Sequence, residues 1–219
     1  MSKKVEAFIF DLDGVITDTA EFHYLAWKEL GESLGISIDR EFNETLKGVS
    51  RTDSLERILE LGNKQNDYTA EEKEKLANGK NDNYVKLIQN ISPKDLLPGV
   101  EEFLKSLKEA GFKIGMASAS KNAMMVTNLL QVQDYFDHIV DAATVAVSKP
   151  DPEVFLKAAT ALGVAPENCI GVEDAAAGVT AIKAAGMYAV AIGDASVLAS
   201  ADMILKSTDE LNLNNILKD

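Results

Sequence analysis

The sequence is poor in several features that would each indicate a particular class of protein. It has one cysteine, Cys169, in 219 residues, so it cannot form an internal disulfide, and this usage is typical of the reducing cytosol. Basic residues are also scarce, since 22 lysines and arginines accompany 35 aspartates and glutamates. The formal charge of −13 argues against a nucleic-acid partner, because phosphate backbones are bound through an excess of basic side chains.

Long hydrophobic runs are missing as well. The beginning of the chain is basic and is followed by a short apolar run that stops at Asp11, which fits neither a signal peptide nor a transmembrane helix. We therefore expect a cytoplasmic protein with no membrane partner. Repeats and low-complexity segments are not present, and a chain of this length buries roughly 70% of its unfolded surface, so its core needs no disulfide or structural metal.

Short apolar runs alternate with helical patterns in the second half of the chain. The runs predict five strands, at Val5–Phe10, Phe112–Ala117, His138–Val140, Cys169–Val172 and Tyr188–Ile192. Strands that alternate with helices predict a parallel sheet covered on both faces. The expected fold class is therefore α/β, with a Rossmann-like parallel sheet core.

A long segment between the first and second predicted strands shows helical spacing and no convincing strand. We interpret residues 17–91 as an inserted helical cap domain, and residues 1–16 with 92–219 as the α/β catalytic core. Thr69 and Glu72 form a capping-box pattern for the third helix of the insertion. Lys80 interrupts the apolar stripe of that helix. Either its stem snorkels along the edge of the core, or its ammonium points into a cleft between domains.

An acidic motif, Asp11-Leu12-Asp13-Gly14, directly follows the first predicted strand. An open parallel sheet places its ligand site at this edge, and paired carboxylates provide the hard oxygen ligands that Mg²⁺ favours. An EF-hand calcium loop is excluded, because its sixth and twelfth positions would be Ile16 and Phe22 instead of glycine and glutamate. A turn with two solvated aspartates remains the alternative for this motif alone.

Polar residues also follow other predicted strands. Glu173-Asp174 ends the run that begins at Cys169, and four carboxylates in one cleft would repel each other unless a divalent cation or protonation relieved them. Ser118 follows the second predicted strand, and Lys149 precedes a predicted helix. Taken singly, Ser118 is a common helix cap and Lys149 a common loop lysine. Polar groups contributed by four strand ends together indicate an active site.

The order Asp11-x-Asp13, Ser118, Lys149 and Glu173-Asp174 resembles the four motifs of the haloacid dehalogenase superfamily of phosphotransferases. The resemblance covers nearly the whole chain, since a helical cap inserted after the first motif is also a feature of that superfamily. Stretches such as LKGVSRTDSL and ASASKN are similar to its sugar-phosphate mutases. This resemblance implies an isomerase that interconverts β-glucose 1-phosphate and glucose 6-phosphate through an aspartyl-phosphate enzyme and glucose 1,6-bisphosphate.

The resemblance also implies roles for the residues of the core. Asp11 would be the nucleophile, and Asp13 the general acid and base. Ser118 and Lys149 would be catalytic through charge neutralisation of the transferring oxygens, together with Mg²⁺. The implied metal ligands are Asp11, Asp13 through its backbone carbonyl, Asp174, and Glu173, the last either directly or through water.

Substrate-binding roles follow from the same resemblance. Arg51 would grip the second phosphate through its planar fork, in a specificity loop that includes Gly48 and Val49. Lys80 and Asn81 would face the sugar, and His23 would be a substrate-linked hinge histidine. The remaining implied contacts follow the second strand, at Ser118, Ala119, Ser120, Lys121 and Asn122. Without the resemblance, Arg51 would be interpreted as a surface residue paired with Asp53 or Glu56, and His23 as structural.

Two other functions compete with the mutase. A phosphatase of the same superfamily, acting on a small sugar phosphate or related metabolite, would share every core residue, although Arg51 and Lys80 favour an enzyme that anchors a second phosphate. A non-catalytic sugar-phosphate-binding module would be marked by loss of Asp11, Asp13 or Lys149, and all three are present. We expect a sugar phosphate as partner, Mg²⁺ as cofactor and a monomeric protein.

Overall fold

The computed structural model describes residues 4–218. Residues 1–3 and 219 lie outside the described residues. The core domain predicted from the sequence includes all four of them, and the expectation that the chain does not begin with a signal peptide concerns the first three. Contacts divide the chain into two compact units. Among the described residues, the sheet unit comprises residues 4–18 and 91–218, and the helical unit comprises residues 19–90.

Strands and helices alternate through most of the sheet unit. The strands are β1 (Ala7–Phe10), β2 (Lys113–Met116), β3 (His138–Ile139), β4 (Cys169–Glu173), β5 (Tyr188–Ile192) and β6 (Met203–Leu205). The helices of the chain are α1 (Ala20–Ser33), α2 (Arg40–Glu44), α3 (Arg51–Leu61), α4 (Ala70–Leu87), α5 (Val100–Glu109), α6 (Ala123–Leu129), α7 (Glu153–Leu162), α8 (Ala176–Ala184) and α9 (Leu213–Ile216). Among residues 4–218, no helix combines the length and the hydrophobicity required to cross a bilayer.

The strands form one parallel sheet in the order β3-β2-β1-β4-β5-β6. This is the order of the Rossmann fold, whose ligands bind at the carboxyl ends of the strands where the strand order reverses. The predicted α/β parallel sheet is confirmed, and β6 is an additional strand that no apolar run predicted. Phe10 pairs with Met116 on one side and Val172 on the other, so the ends of β1, β2 and β4 lie at the same level.

Burial of β1 and β4 on both faces explains their continuous apolar sequences. Helices α7 and α8 supply part of that cover, through buried side chains such as Phe155, Ala158 and Ile182. These helices therefore hold the two central strands in place, and the site residues follow directly from the strand ends.

The helical unit has a separate apolar core, in which Trp27 of α1 packs with Leu55 and Ile58 of α3. The predicted capping box of α4 is confirmed. The Thr69 side chain accepts a hydrogen bond from the Glu72 backbone N–H, and the Glu72 carboxylate accepts one from the Thr69 N–H. Helix α2, with five residues, was not predicted from the sequence.

Candidate active site

Asp11 is the first residue after β1, and it lies in the interior of the sheet unit. Its backbone N–H donates to the carbonyl of Val172 (2.9 Å), which continues the pairing of β1 with β4. Its side chain, in a residue that is 4% exposed, accepts a hydrogen bond from the backbone N–H of Asp13 (3.0 Å). The turn after β1 therefore fixes one oxygen of the carboxylate and leaves the other for a second partner.

That second partner is Lys149, which lies between the ends of two neighbouring strands. Its ammonium donates to Oδ1 of Asp11 (2.7 Å) and to Oε1 of Glu173 (2.5 Å). Lys149 and Glu173 are almost completely buried. An ion-paired lysine so far from solvent indicates a site where the position of one positive charge matters.

Burial and neighbouring charges shift the pKa values of this group. Desolvation, supported by the charge of Glu173 and opposed by that of Lys149, raises the pKa of Asp11 from 3.8 to about 6. Burial works to lower the pKa of Lys149, but the carboxylates of Asp11 and Glu173 outweigh it and the pKa is raised. Lys149 is therefore an ammonium at neutral pH, and one ammonium only partly compensates the carboxylates around it.

Three carboxylates meet here in a spacing that suits a metal ion. One oxygen each from Asp11, Glu173 and Asp174 lies within 4.8 Å of the other two. Three carboxylates around one ammonium leave an excess of negative charge at neutral pH, and hard oxygen donors of this kind bind Mg²⁺ and similar divalent cations. The donor set therefore fits a divalent metal. Asp13, half-buried, follows in the same turn.

The loop after β2 carries the other predicted residues of the sheet unit. Ser118 is buried, and its hydroxyl accepts a hydrogen bond from the N–H of Ser120 (3.1 Å). The Ser120 hydroxyl in turn accepts one from the N–H of Asn122 (3.2 Å). Ala119 is half-buried and Lys121 is exposed. Hydroxyls, amides and one cation make this loop chemically suited to a phosphate.

Lys80 and His23 form the polar centre of the helical unit. The Lys80 ammonium lies 2.9 Å from Nδ1 of His23 and within 4.4 Å of the centre of the Trp27 ring, a favourable cation–π distance. Tyr84 stacks on His23, with ring centres 4.1 Å apart. Because Lys80 is 4% exposed, its ammonium does not reach the solvent, and the interpretation that its stem snorkels along the edge of the core is wrong.

The protonation state of His23 follows from these contacts. Burial, then the positive charges of Lys80 and Arg51, hold the pKa of His23 well below its usual value of 6.5. The imidazole is therefore neutral at pH 7. Nδ1 accepts the hydrogen bond from Lys80, so Nε2 carries the hydrogen.

Arg51 begins α3 and is oriented by a residue of another helix. One of its terminal nitrogens donates to Oδ1 of Asn81 on α4 (2.8 Å). The acidic residues expected as its surface partners have other contacts, Asp53 with the Ser50 hydroxyl and Glu56 with Lys73. Ahead of the helix, Gly48 has a φ of +70° and Val49 is buried.

The predicted site residues thus fall into two groups, one in each unit. The sheet unit brings together Asp11, Lys149, Glu173 and Asp174, and the helical unit brings together His23, Lys80, Arg51 and Asn81. Sequence reasoning did not assign Trp27 or Tyr84 to this site. Both follow a polar site residue by four positions on a helix, and this i, i+4 spacing was a usable signal.

Comparison with known proteins gives consistent matches over most of the chain. The model of the haloacid dehalogenase-like hydrolases matches residues 5–186. The chain is 49% identical to a β-phosphoglucomutase of Bacillus subtilis, over 95% of this chain and 92% of that protein. A crystal structure of β-phosphoglucomutase from Clostridium difficile superposes with a TM-score of 0.97 at 50% identity, covering 98% and 96% of the two chains.

A phosphatase also belongs to the set of relatives. Hexitol phosphatase B of Escherichia coli is 30% identical over 98% of both chains. The matching family model and these relatives agree with the strand-end motifs, the parallel sheet and the acidic group around Lys149. The chain therefore belongs to the haloacid dehalogenase-like hydrolase family.

Proposed function

We propose that the protein is a β-phosphoglucomutase, an isomerase that interconverts β-glucose 1-phosphate and glucose 6-phosphate. The observation that carries this proposal is the presence of two separate charged groups, Lys149 with its carboxylates at the ends of β1 and β4, and the cations Arg51 and Lys80 in the helical unit. A bisphosphate intermediate has two phosphates, and each needs its own site. The 49% identity to the B. subtilis enzyme extends over both groups.

Asp11 carries the phosphoryl group in this mechanism. The 6-hydroxyl of β-glucose 1-phosphate attacks the phosphorus of phospho-Asp11, and its proton passes to the Asp13 carboxylate as the bond to Asp11 breaks. After the bisphosphate has turned end for end, Asp11 attacks the 1-phosphate. Asp13 then returns the proton to the departing O1, which yields glucose 6-phosphate and restores phospho-Asp11.

Charge neutralisation supports both transfers. Mg²⁺, held by the carboxylates of Asp11, Glu173 and Asp174 and by the backbone carbonyl of Asp13, would neutralise charge on the transferring group. Lys149 is already oriented by Asp11 and Glu173, so its ammonium is in place before the reaction. The Ser118 hydroxyl and the loop from Ala119 to Asn122 bind the remaining oxygens.

The helical unit binds the rest of the substrate. Arg51 holds the phosphate that is not reacting, with Asn81 orienting its guanidinium. Lys80, with His23 beside it, binds the sugar, and Gly48 and Val49 line the same subsite. We further infer that residues 17–91 act as a cap over the core formed by 1–16 and 92–219, because phospho-Asp11 must be kept from water.

We also propose the partners and the surroundings of the enzyme. The substrate is a small sugar phosphate, and the protein acts as a cytoplasmic monomer without nucleic acid or membrane partners. A phosphatase acting on a related sugar phosphate is the second candidate, favoured by the identity to hexitol phosphatase B. The two differ in whether a sugar hydroxyl or water accepts the phosphoryl group from Asp11.

One assay separates these functions. The protein is incubated with Mg²⁺, β-glucose 1-phosphate and a trace of glucose 1,6-bisphosphate, and both glucose 6-phosphate and inorganic phosphate are followed. We expect glucose 6-phosphate to form in large excess over phosphate. Stoichiometric release of phosphate and free glucose would support the phosphatase, and no product of either kind would support a binding module.

A further inference from the structure

Glu173 is fixed at both ends of its carboxylate. Oε1 accepts the hydrogen bond from Lys149, and Oε2 accepts hydrogen bonds from the backbone N–H groups of Asp174 (2.9 Å) and Ala175 (2.8 Å). The residue is completely buried. Its carboxylate can therefore occupy this position only if the surrounding elements leave room for it.

Gly178, in the first turn of α8, leaves that room. A Cβ atom at this position would overlap Oε1 and Cδ of Glu173 and would lie 2.6 Å from its Cγ. The backbone of Gly178 is helical and not among the left-handed glycines of the described chain, so its conformation does not call for glycine. Glycine is also a poor helix former. Glycine at this position therefore provides the space that the Glu173 side chain needs.

Gly14 has a similar relation to the neighbouring carboxylate. A Cβ there would overlap Oδ2 of Asp174 and lie 2.9 Å from its Cβ. Gly14 also has a φ of +73°, a backbone conformation that favours glycine for its own sake. Two glycines from different elements thus adjoin the acidic pair, and Gly178 is the one whose effect can be tested without backbone strain.

We propose that Gly178 is a positioning residue for the phosphoryl-transfer site. By lacking a side chain, it lets the Glu173 carboxylate lie against α8, where that carboxylate orients Lys149 and stays within reach of a divalent cation. This inference rests on the proposed function only in that the carboxylate group binds Mg²⁺. In Gly178→Ala, the nearest atoms to the added methyl group all belong to the Glu173 side chain and none to a backbone, so the change falls on the site more than on the fold.

Two other glycines provide matched controls. A Cβ at Gly171 of β4 would lie 2.6 Å from Cγ1 of Ile182 on α8, so Gly171→Ala disturbs the same strand and helix through an apolar contact. Gly79, in α4, has no atom within 4 Å of the Cβ position. Gly79→Ala therefore tests substitution of a helical glycine in open space.

The experiment measures Mg²⁺ binding by isothermal titration calorimetry and Tm by calorimetry, independently of turnover. We expect Gly178→Ala to weaken Mg²⁺ binding about tenfold or more, as is typical when a group that orients a metal ligand is disturbed. Gly171→Ala should lower Tm but keep the Mg²⁺ affinity. Gly79→Ala should lower neither Tm nor the Mg²⁺ affinity. Unchanged Mg²⁺ binding in Gly178→Ala, or an equal loss in Gly171→Ala, would overturn the proposal, as would a wild-type protein that binds no Mg²⁺.

A double-mutant cycle identifies the partner and covers the case in which Gly178→Ala alone does not fold. In a Glu173→Ala background no carboxylate is left to displace, so adding Gly178→Ala should leave folding and Mg²⁺ affinity unchanged. A further loss in that background would show that Gly178 acts through another contact and would refute the assignment. If Gly178→Ala weakens Mg²⁺ binding as expected but the wild type isomerises no sugar phosphate, only the proposed function fails.

Discussion

In the sheet unit the buried ammonium of Lys149 donates to two carboxylates, those of Asp11 and Glu173, whereas in the helical unit the guanidinium of Arg51 donates to the neutral amide of Asn81. Carboxylate partners compensate the charge of the cation that they orient. A neutral partner orients the cation without itself compensating its charge, and at Arg51 the negative charge of Asp82 acts in addition.

Lys80 also has a neutral hydrogen-bond partner, the imidazole of His23. The acidic group of the sheet unit has carboxylates in excess over its lysine and so suits a further cation. In the helical unit, Arg51 and Lys80 are hydrogen bonded to the neutral side chains of Asn81 and His23, and these two cations suit an anion. A phosphoryl-transfer centre and a distal phosphate site need these two opposite arrangements.

Removal of the nucleophile should have the largest effect. We expect Asp11→Asn to lower isomerisation by at least about 10⁴-fold, because an amide is a poor nucleophile and a weaker metal ligand. Steady-state assays should be accompanied by thermal melts, which should show no loss of stability. Asp67→Asn, at an exposed position, is the control. Retention of a tenth of the wild-type turnover would mean that another group is the nucleophile.

Removal of the distal cation, Arg51, should distinguish the functional roles of the two units. Loss of a buried charge partner costs about 2–5 kcal/mol, so Arg51→Ala should lower kcat/KM for sugar-phosphate isomerisation by roughly 30-fold to several thousandfold. Acetyl phosphate has no second phosphate, and its consumption should be nearly unchanged. If both activities fall by the same factor, Arg51 serves the fold or the closure of the cap, and its assignment to the distal phosphate is mistaken.

The raised pKa of Asp11 should appear in the stability of the metal-free protein. Because the native state binds this proton more tightly than the unfolded chain, the associated stabilisation is complete below pH 3.8 and is lost as the pH rises through about 6. Asp11→Asn has no such group. In a chelating buffer, the Tm of the variant relative to wild type should therefore increase between about pH 4 and 7.5, by the equivalent of at most about 3 kcal/mol. A pH-independent difference would contradict the shift.

The neutral partner of Arg51 should give the smallest effect. Asn81→Ala removes one hydrogen bond to a charged group, for which a loss of about 1.5–3 kcal/mol is an upper range at a half-buried position. We expect a fall of about tenfold in kcat/KM for isomerisation, with acetyl phosphate consumption unchanged. Asn78→Ala, at an exposed position on the same helix, should behave as wild type. Activity of Asn81→Ala equal to that control would show that Arg51 needs no orienting partner.

The residues of the sheet unit could be predicted from the sequence because parallel strands end at one edge. Asp11, Ser118 and Glu173 each stand at the end of an apolar run, so their proximity follows from the topology. Strand β6 could not be predicted in the same way. It has three residues, all half-buried. No apolar run longer than these three residues marks the strand in the sequence.

The rest of the site depends on distances that linear spacing does not contain. The unusual place of Lys80 on an apolar stripe was visible in the sequence, but its contacts with His23 and Trp27 depend on how α1 packs against α4. The relation of Gly178 to Glu173 depends on the separation of a helix backbone from one side chain. Only the folded chain shows that a methyl group would not fit there.

The most direct test of the central claim follows a labelled phosphoryl group. Asp11 is phosphorylated with ³²P-acetyl phosphate and Mg²⁺, excess donor is removed rapidly, and β-glucose 1-phosphate is added. We expect most of the label to appear in glucose 1,6-bisphosphate and then glucose 6-phosphate, because the helical unit holds the sugar phosphate as acceptor. Release of most of the label as inorganic phosphate, at a rate unaffected by the sugar phosphate, would contradict the mutase and leave a phosphatase.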